Sequence, residues 1–124
     1  MVSISGSTAT INGAGTSLIT VTQSETTNYT ATTSSFTITV NKIDPTLSAF
    51  GVATKTFGDP VFEITPPTKD VDNSSSFTFT SSNANIASIS DNKVTINGAG
   101  TAVITASLSA NDNYNAGSIS TTLT

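Results

Sequence analysis

The chain has 124 residues, a formal net charge of −4 and only 10% charged residues. Its four positive residues are all lysines and are not clustered, so a nucleic-acid partner is not expected, because phosphate binding needs grouped Lys and Arg. No apolar run approaches the roughly 20 residues that a membrane-spanning helix needs, so we expect no membrane insertion in this segment.

The segment 1–40 carries four predicted strands. Ser and Thr supply 44 of the 124 residues, and the branched Cβ of Thr suits a pleated, half-exposed surface, so the composition favours an all-β chain. Alternating apolar residues separated by turn signals predict strands near 2–5, 8–12, 16–23 and 33–40.

A short polar joint, Asn41–Pro45, follows, and its proline cannot continue a strand ladder. Beyond it Phe77 and Phe79 alternate with Thr78 and Thr80, which places the rings on one face of a strand. Half-apolar strands of this kind suit antiparallel sheets with one buried face. We predict an immunoglobulin-like antiparallel β-sandwich with strands near 46–50, 61–66, 76–81, 86–90, 93–97, 101–108 and 117–124.

An internal repeat with a constant offset connects the two parts of the chain. Thr10–Thr16 recurs as Thr95–Thr101, and residues 1–39 laid over 86–124 without a gap give 19 identities. Residues 40–85 have no earlier counterpart. The sequence therefore predicts one complete repeat of about 85 residues at 41–124, and the C-terminal half of another at 1–40, taken from a longer tandem array.

The half repeat keeps its inward positions but lacks their partners. Ile19, Val21 and Ile38 stand at the positions of Ile104, Ala106 and Leu123. The half repeat contains no counterparts of Leu47, Phe62, Ile64, Phe77 and Phe79. Because an uncovered sheet exposes apolar side chains and strand edges, we expect a neighbouring module, in the same chain or an adjacent subunit, to complete residues 1–40.

Two glycine-containing motifs are predicted to be turns. Asn12–Gly15 and its copy Asn97–Gly100 resemble a phosphate-binding loop but lack the following Lys-Ser/Thr and helix, so a tight turn with positive φ is favoured. Gly58–Pro60 has the composition of a turn. Neither is predicted to hold a cofactor.

The sequence contains few of the residue types that carry out catalysis. His, Cys and Arg are absent and the eight acidic residues are scattered, so we predict no enzyme, no catalytic residue, no metal ligand and no cofactor. Asp70 and Asp72 form the densest acidic patch, which is interpreted as a solvated loop because calcium prefers 6–8 oxygen ligands. Calcium binding there stays open, as does glycosylation at Asn28 and Asn73, which match the acceptor pattern.

Tyr29 and Tyr114 occupy matching positions ahead of the last strand of each part. We expect a buried ring whose hydroxyl bonds to the backbone and holds the loop in place. Stacking on a carbohydrate is the alternative, although one tyrosine per module without any tryptophan makes a small platform.

An ordered series of motifs carries a resemblance to a known family. These motifs are Lys55–Phe62 (KTFGDPVF), Phe77–Asn83 (FTFTSSN), Ile86–Ser90 (IASIS), Val94–Thr101 (VTINGAGT) and Asn113–Ala116 (NYNA). Together they resemble a bacterial immunoglobulin-like tandem repeat of the Big-2 or MBG type, which occurs in large surface proteins. The resemblance covers 41–124 entirely and 1–40 as a partial copy.

The resemblance and the Ser/Thr richness imply an extracellular, cell-surface location. They also imply a structural role, as a spacer in a tandem-repeat surface or filament protein that acts through module–module contacts. The alternative is a binding module of an adhesin or of a viral or phage fibre, which contacts glycans or host proteins through loop tips at 67–76 and 109–117. Fold alone does not decide between these functions.

Overall fold

The computed structural model describes residues 1–124, and all twelve of its regular elements are β-strands, which confirms the predicted all-β class. The chain divides into unit 1, Met1–Ile43, and unit 2, Asp44–Thr124. Unit 1 holds β1 (Val2–Ser5), β2 (Thr8–Ile11), β3 (Gly15–Gln23) and β4 (Thr32–Val40). Unit 2 holds β5 (Leu47–Ser48), β6 (Phe62–Glu63), β7 (Thr68–Lys69), β8 (Phe77–Ser81), β9 (Ala87–Ser90), β10 (Lys93–Ile96), β11 (Ala102–Leu108) and β12 (Gly117–Leu123). No helix long and apolar enough to cross a membrane is present.

Unit 1 consists of two antiparallel hairpins. β1 pairs only with β2, and β3 pairs only with β4 along the full length of both strands. No residue of unit 1 is buried. Its secondary structure therefore rests on hairpin hydrogen bonds and on partly covered side chains, without a closed core.

Unit 2 contains larger antiparallel sheets. One has the order β6-β10-β9 and the other β12-β11-β8, and β5 pairs with β7 in a separate short ladder. Both three-stranded sheets contribute to one core, with Val94 from the first and Ile104 and Leu123 from the second. Ile64, which directly follows β6, also belongs to this core. This arrangement is consistent with a β-sandwich.

Strand alternation in unit 2 follows the predicted pattern. Ala102, Ile104, Ala106 and Leu108 are all buried, whereas Val103 between them is exposed. Phe79 on the adjacent β8 packs against this core and stacks on Phe50, with their ring centroids 6.2 Å apart. Burial of one face of β11 is what anchors the sheet to the rest of the unit.

The hairpins of the two units have the same register wherever the internal repeat aligns them. Ser17 pairs with Ile38 as Ala102 pairs with Leu123. Likewise Ser3 pairs with Thr10 as Ser88 pairs with Thr95. A slip by a single position would turn every side chain to the other face, so equal register means that matching residues face the same way.

The turns that begin β3 and precede β11 also match. Gly15 has φ 130° and Gly100 has φ 138°, which confirms the predicted turns with positive φ. Before each turn an asparagine side-chain amide donates to a serine hydroxyl over 2.9 Å, from Asn12 to Ser3 and from Asn97 to Ser88. The motif thus works as a local hairpin connector in both units.

The short strand β7 is absent from the predicted elements. It pairs Thr68 with Ser48 and Lys69 with Leu47, two residues against two. A ladder this short has no periodicity of its own and depends on contact with a distant segment. Pro66 and Pro67 before it are typical of loops, which is why the sequence predicts only a loop there.

Candidate interaction surface

The apolar face of unit 1 is open. A groove of about 500 Å³ lies between its two hairpins, and its lining includes Ile4, Ala9, Val21 and Phe36. Val21 is 60% exposed, whereas Ala106, its counterpart in unit 2, is 0% exposed. The groove therefore presents Ala9 and Val21, whose counterparts Val94 and Ala106 are fully buried in unit 2.

Two strand edges in unit 1 lack a neighbour that unit 2 provides. In unit 2, β11 lies between β12 and β8, and β10 lies between β9 and β6. In unit 1, β3 has β4 alone and β2 has β1 alone. An exposed edge offers backbone N–H and C=O groups to any extended chain that approaches it.

Substitutions between the matching hairpins leave much of the open face apolar. Phe36 stands where unit 2 has Thr121, and Val21 stands where it has Ala106. A large ring in place of a threonine is difficult to reconcile with a face that is always in water, since apolar patches of this kind usually mark contact sites. Polar residues do replace apolar ones at three positions of the same hairpin, which are Ser17, Gln23 and Ser34.

The two predicted loop tips of unit 2 lie side by side, joined by Asn73. Its Oδ1 accepts from the Ser75 backbone N–H over 2.9 Å and from the Asn111 side-chain amide over 3.0 Å. Its own amide donates to the Ser109 carbonyl over 3.1 Å. With 1% of its surface exposed, Asn73 is a satisfied buried polar group that fixes loop 67–76 to loop 109–117.

Lys69 adds a positive charge beside this junction. Its ammonium donates to the backbone carbonyls of Asn73 and Ser75, and it lies 6.0 Å from the centroid of the Phe77 ring. Two carbonyls of this loop are thus partnered by a lysine. Sequence reasoning missed both Lys69 and the Asn73–Asn111 pair, because one amide in a Ser-rich loop gives no sign of its distant partner.

The acidic residues of this loop do not converge on a metal-binding arrangement. Asp70 Oδ1 accepts from the Thr46 backbone N–H over 2.8 Å, which ties the loop to the start of β5. Hydrogen bonds from Thr46 lower the pKa of the Asp70 carboxyl. The structure contains no group of three or more His, Cys, Asp or Glu residues that could hold a metal ion.

The two candidate glycosylation positions, Asn28 and Asn73, differ in their accessibility. Asn73 is buried and its side-chain amide is engaged, so its acceptor pattern is inaccessible in the folded chain. Asn28 is exposed, so the pattern there is accessible.

The expectation of a buried ring is wrong for Tyr29, which is 73% exposed. Tyr114 is half-buried, and its backbone N–H donates to Asn111 Oδ1 over 3.0 Å. Unit 1 has Thr26 at the position of Asn111 and contains no counterpart of loop 67–76. The ring of Tyr29 therefore lacks the neighbouring loop that stands beside the corresponding turn in unit 2.

A separate cavity of about 410 Å³ lies elsewhere on unit 2. Its lining includes Phe57, Ile86, Ile96 and Leu123. It is largely apolar, and the ammonium of Lys55, another lining residue, lies 4.5 Å from the centroid of the Phe62 ring. These groups suit apolar contact rather than acid–base chemistry.

Comparisons of the chain with protein-family models, with curated proteins and with solved structures found no match. The resemblance to Big-2 or MBG repeats therefore stays a prediction from the motifs quoted above.

Proposed function

We propose that the chain is part of an extracellular tandem-repeat surface or filament protein. In this proposal unit 2 is a complete immunoglobulin-like repeat, unit 1 is the second half of another, and the modules act as spacers through contacts with each other. One observation carries the proposal. Hairpins of equal register are covered by residues 44–85 in unit 2 and are uncovered in unit 1.

The distribution of side chains supports a mechanical role. In unit 2 the buried Asn73 fixes loop 67–76 to loop 109–117 through Ser109 and Asn111, and Lys69 bonds to two carbonyls within loop 67–76. The open groove of unit 1 is apolar and flanked by strand edges, the features of a surface that contacts protein. Burial of this groove against another module would add stiffness to an array.

A second candidate function has one specific observation in its favour. The Asn73–Asn111 bond places loops 67–76 and 109–117 together, so their exposed residues could form one rigid binding surface. Half-buried Tyr114 stands beside it. This is the adhesin alternative, in which the loop tips contact a glycan or a host protein.

A glycan array probed with the fluorescently labelled full chain tests the spacer proposal against the adhesin alternative. The spacer proposal expects no dose-dependent glycan signal. A saturable signal that disappears in Tyr114→Ala and persists in the matched control Tyr29→Ala would overturn it, since only Tyr114 stands beside the joined loops.

A further inference from the structure

The dipeptide Asn-Gly occurs twice in the chain, at Asn12–Gly13 and at Asn97–Gly98, inside the identical segments Thr10–Thr16 and Thr95–Thr101. Asparagine is a chemically labile residue in proteins. The backbone nitrogen of the next residue can attack its side-chain carbonyl carbon, and glycine hinders this attack least because it has no side chain. Since the two segments have the same sequence, a difference in their reactivity can come only from the fold.

Solvent exposure does not distinguish the two copies. Both asparagines are exposed and both glycines are half-buried. The asparagine backbone is also held in the same way in each copy. The Asn12 N–H donates to the Met1 carbonyl over 2.7 Å, and the Asn97 N–H donates to the Ile86 carbonyl over 2.8 Å. A difference must therefore lie in the glycine nitrogen or in the asparagine side chain.

The glycine nitrogen, which is the attacking atom, is bonded in one copy only. In unit 2 the Gly98 N–H donates to the Ile86 carbonyl over 3.3 Å. In unit 1 the Gly13 N–H makes no hydrogen bond, although the Met1 carbonyl lies in the same turn. Attack requires the nitrogen to lose its proton and to turn towards the side chain, so a bonded N–H must first break its bond. Gly13 is therefore the more available nucleophile.

The side-chain amide, which is the group attacked, is held more firmly in unit 2. Asn97 Nδ2 donates to the Ala84 carbonyl over 2.8 Å and to the Ser88 hydroxyl over 2.9 Å. Asn12 Nδ2 donates to the Ser3 hydroxyl over 2.9 Å. Local opening that releases such bonds is costly in unit 2, which has a closed core, and less costly in unit 1, where no residue is buried.

We propose that Asn12–Gly13 is a site of spontaneous deamidation through a succinimide, and that the fold protects Asn97–Gly98 from the same reaction. The Gly13 nitrogen gives its proton to water or hydroxide and bonds to Asn12 Cγ. The Cγ–Nδ2 bond breaks, and Nδ2 takes up a proton and leaves as ammonia. Water then adds to one of the two carbonyl carbons of the ring and opens it. The net reaction consumes one water and releases one ammonia, with no change of oxidation state.

Both products alter the connector between β2 and β3. Opening at Cγ gives aspartate, and opening at the main-chain carbonyl carbon gives isoaspartate, in which the backbone passes through Cβ and is one carbon longer. Either product adds a carboxylate that is ionised at neutral pH. Residue 12 then has no side-chain N–H to donate to the Ser3 hydroxyl. The modification changes unit 1 at its turn, and it goes beyond the proposed spacer function without depending on it.

The experiment incubates the full chain at neutral and at mildly alkaline pH and follows both Asn-Gly positions by peptide mass spectrometry, with isoaspartate measured separately. We expect residue 12 to convert about tenfold or more faster than residue 97, because the hydrogen bonds of Asn97 and Gly98 must break first. Both rates should rise with pH, since the attacking nitrogen must lose its proton.

Three controls separate the fold from the local sequence. In urea that unfolds unit 2, the two identical segments should convert at similar rates. Gly13→Ala places a methyl group beside the attacking nitrogen, at a position without positive φ, and should slow conversion at residue 12 while leaving residue 97 unchanged. Ile104→Ala removes a core side chain of unit 2 and should speed conversion at residue 97 while leaving residue 12 unchanged.

Three results would overturn the proposal. Equal rates at the two positions of the folded chain, or a faster rate at residue 97, would mean that the hydrogen bonds of unit 2 give no protection. Conversion of residue 12 in urea but not in the folded chain would mean that the turn of unit 1 is itself protective. A rate at residue 12 that Gly13→Ala leaves unchanged would mean that the Gly13 nitrogen is not the attacking atom.

Discussion

Units 1 and 2 share two hairpins of equal register and differ in what covers them. Ser17 pairs with Ile38, and Ala102 pairs with Leu123, in equivalent ladders. Yet Leu123 is 1% exposed, and no residue of unit 1 is buried. The comparison teaches that local sequence is enough to specify a hairpin and its register, whereas burial depends on a distant segment.

The largest expected difference between the units is in amide hydrogen exchange. Matching amides of β3 and β11 are compared in the intact chain. Unit 2 has a closed core, so its central amides should exchange only through cooperative opening, on the order of 1000-fold more slowly than those of unit 1. Mass spectrometry of peptides from both strands measures the ratio.

Equal protection of β3 and β11 would break the comparison, because it would mean that the groove is covered in solution. A repeat of the measurement at tenfold lower protein concentration separates the two ways in which this could happen. Cover by another molecule loses protection on dilution, whereas cover within one molecule does not.

A matched pair of core substitutions gives the next largest effect. Ile104 is 0% exposed and belongs to the core cluster, so Ile104→Ala should lower the free energy of unfolding of unit 2 by about 2–5 kcal/mol. Ile19 is only half-buried, so Ile19→Ala should cost about 1 kcal/mol or less. Urea unfolding followed by circular dichroism measures both, and similar losses would show that Ile19 also lies in a closed core.

Alanine substitutions at the two turn glycines, Gly15 and Gly100, separate the effect of backbone strain from the effect of packing. Both have φ values in the range that disfavours side chains, so alanine at either is strained, at about 1–3 kcal/mol. A Cβ on Gly100 would lie 2.8 Å from Ile86 Cδ1, whereas one on Gly15 meets only Met1 Sδ at 3.8 Å. We expect Gly100→Ala to be more destabilising by about 1 kcal/mol or more, because Ile86 packs on the core and must shift. Equal effects in urea titrations would mean that Ile86 moves without cost.

Removal of the Asn73 side chain tests the tie between the two loops. In Asn73→Ala the Ser75 N–H, the Asn111 amide and the Ser109 carbonyl each lose their hydrogen bond to the Asn73 side chain. We therefore expect the free energy of unfolding of unit 2 to fall by about 1–3 kcal/mol. Amide hydrogen exchange in loop 109–117 should become faster in the same variant. The exposed Asn28→Ala in unit 1 is the control, expected to change stability by less than about 0.5 kcal/mol. An unchanged amide exchange rate in loop 109–117 would show that the two loops are held together by other contacts.

The smallest expected effect is the pH dependence that arises from Asp70. Its pKa is lower in the folded chain than in the unfolded chain, because Thr46 donates to the ionised form. The contribution is therefore present above the unfolded pKa of about 3.9 and is lost as the pH falls through the folded pKa. The difference between the urea midpoints of the wild-type chain and of Asp70→Asn should begin to shrink near about pH 4 and disappear only as the pH falls through the lower, folded pKa. Asp72→Asn is the control, and persistence of the difference between wild type and Asp70→Asn at pH 2 would contradict the role of the carboxylate.

The sequence predicts the longer strands closely, predicts β5 and β6 as longer than their observed two residues, and misses β7, which also has two. The predicted bounds of β11 lie within one residue of the observed ones, because its alternation extends over seven residues. β7 has two residues and exists only through its pairing with β5. Periodicity needs several residues to be recognised, so an element created by a non-local contact stays invisible.

The sequence predicts part of the candidate interaction surface, namely the open groove of unit 1. The missing counterparts of Phe62, Ile64 and Phe79 indicate that residues 1–40 lack cover, and the exposed groove lies there. The tie through Asn73 and the position of Lys69 were not foreseeable. Each depends on partners 36 or 38 residues away, as in Asn73–Ser109 and Asn73–Asn111, or on the path of a loop backbone.

By itself the sequence determined the hairpins. Apolar alternation sets which side chains share a face, and Gly15 and Gly100 set the turns before β3 and β11, so the same local pattern produces the same register twice. Only the tertiary structure decided which of these equal faces is buried. Ile104 is a core residue because Ile64, from a distant part of unit 2, shares its cluster, whereas Ile19 is half-buried in a unit without a closed core.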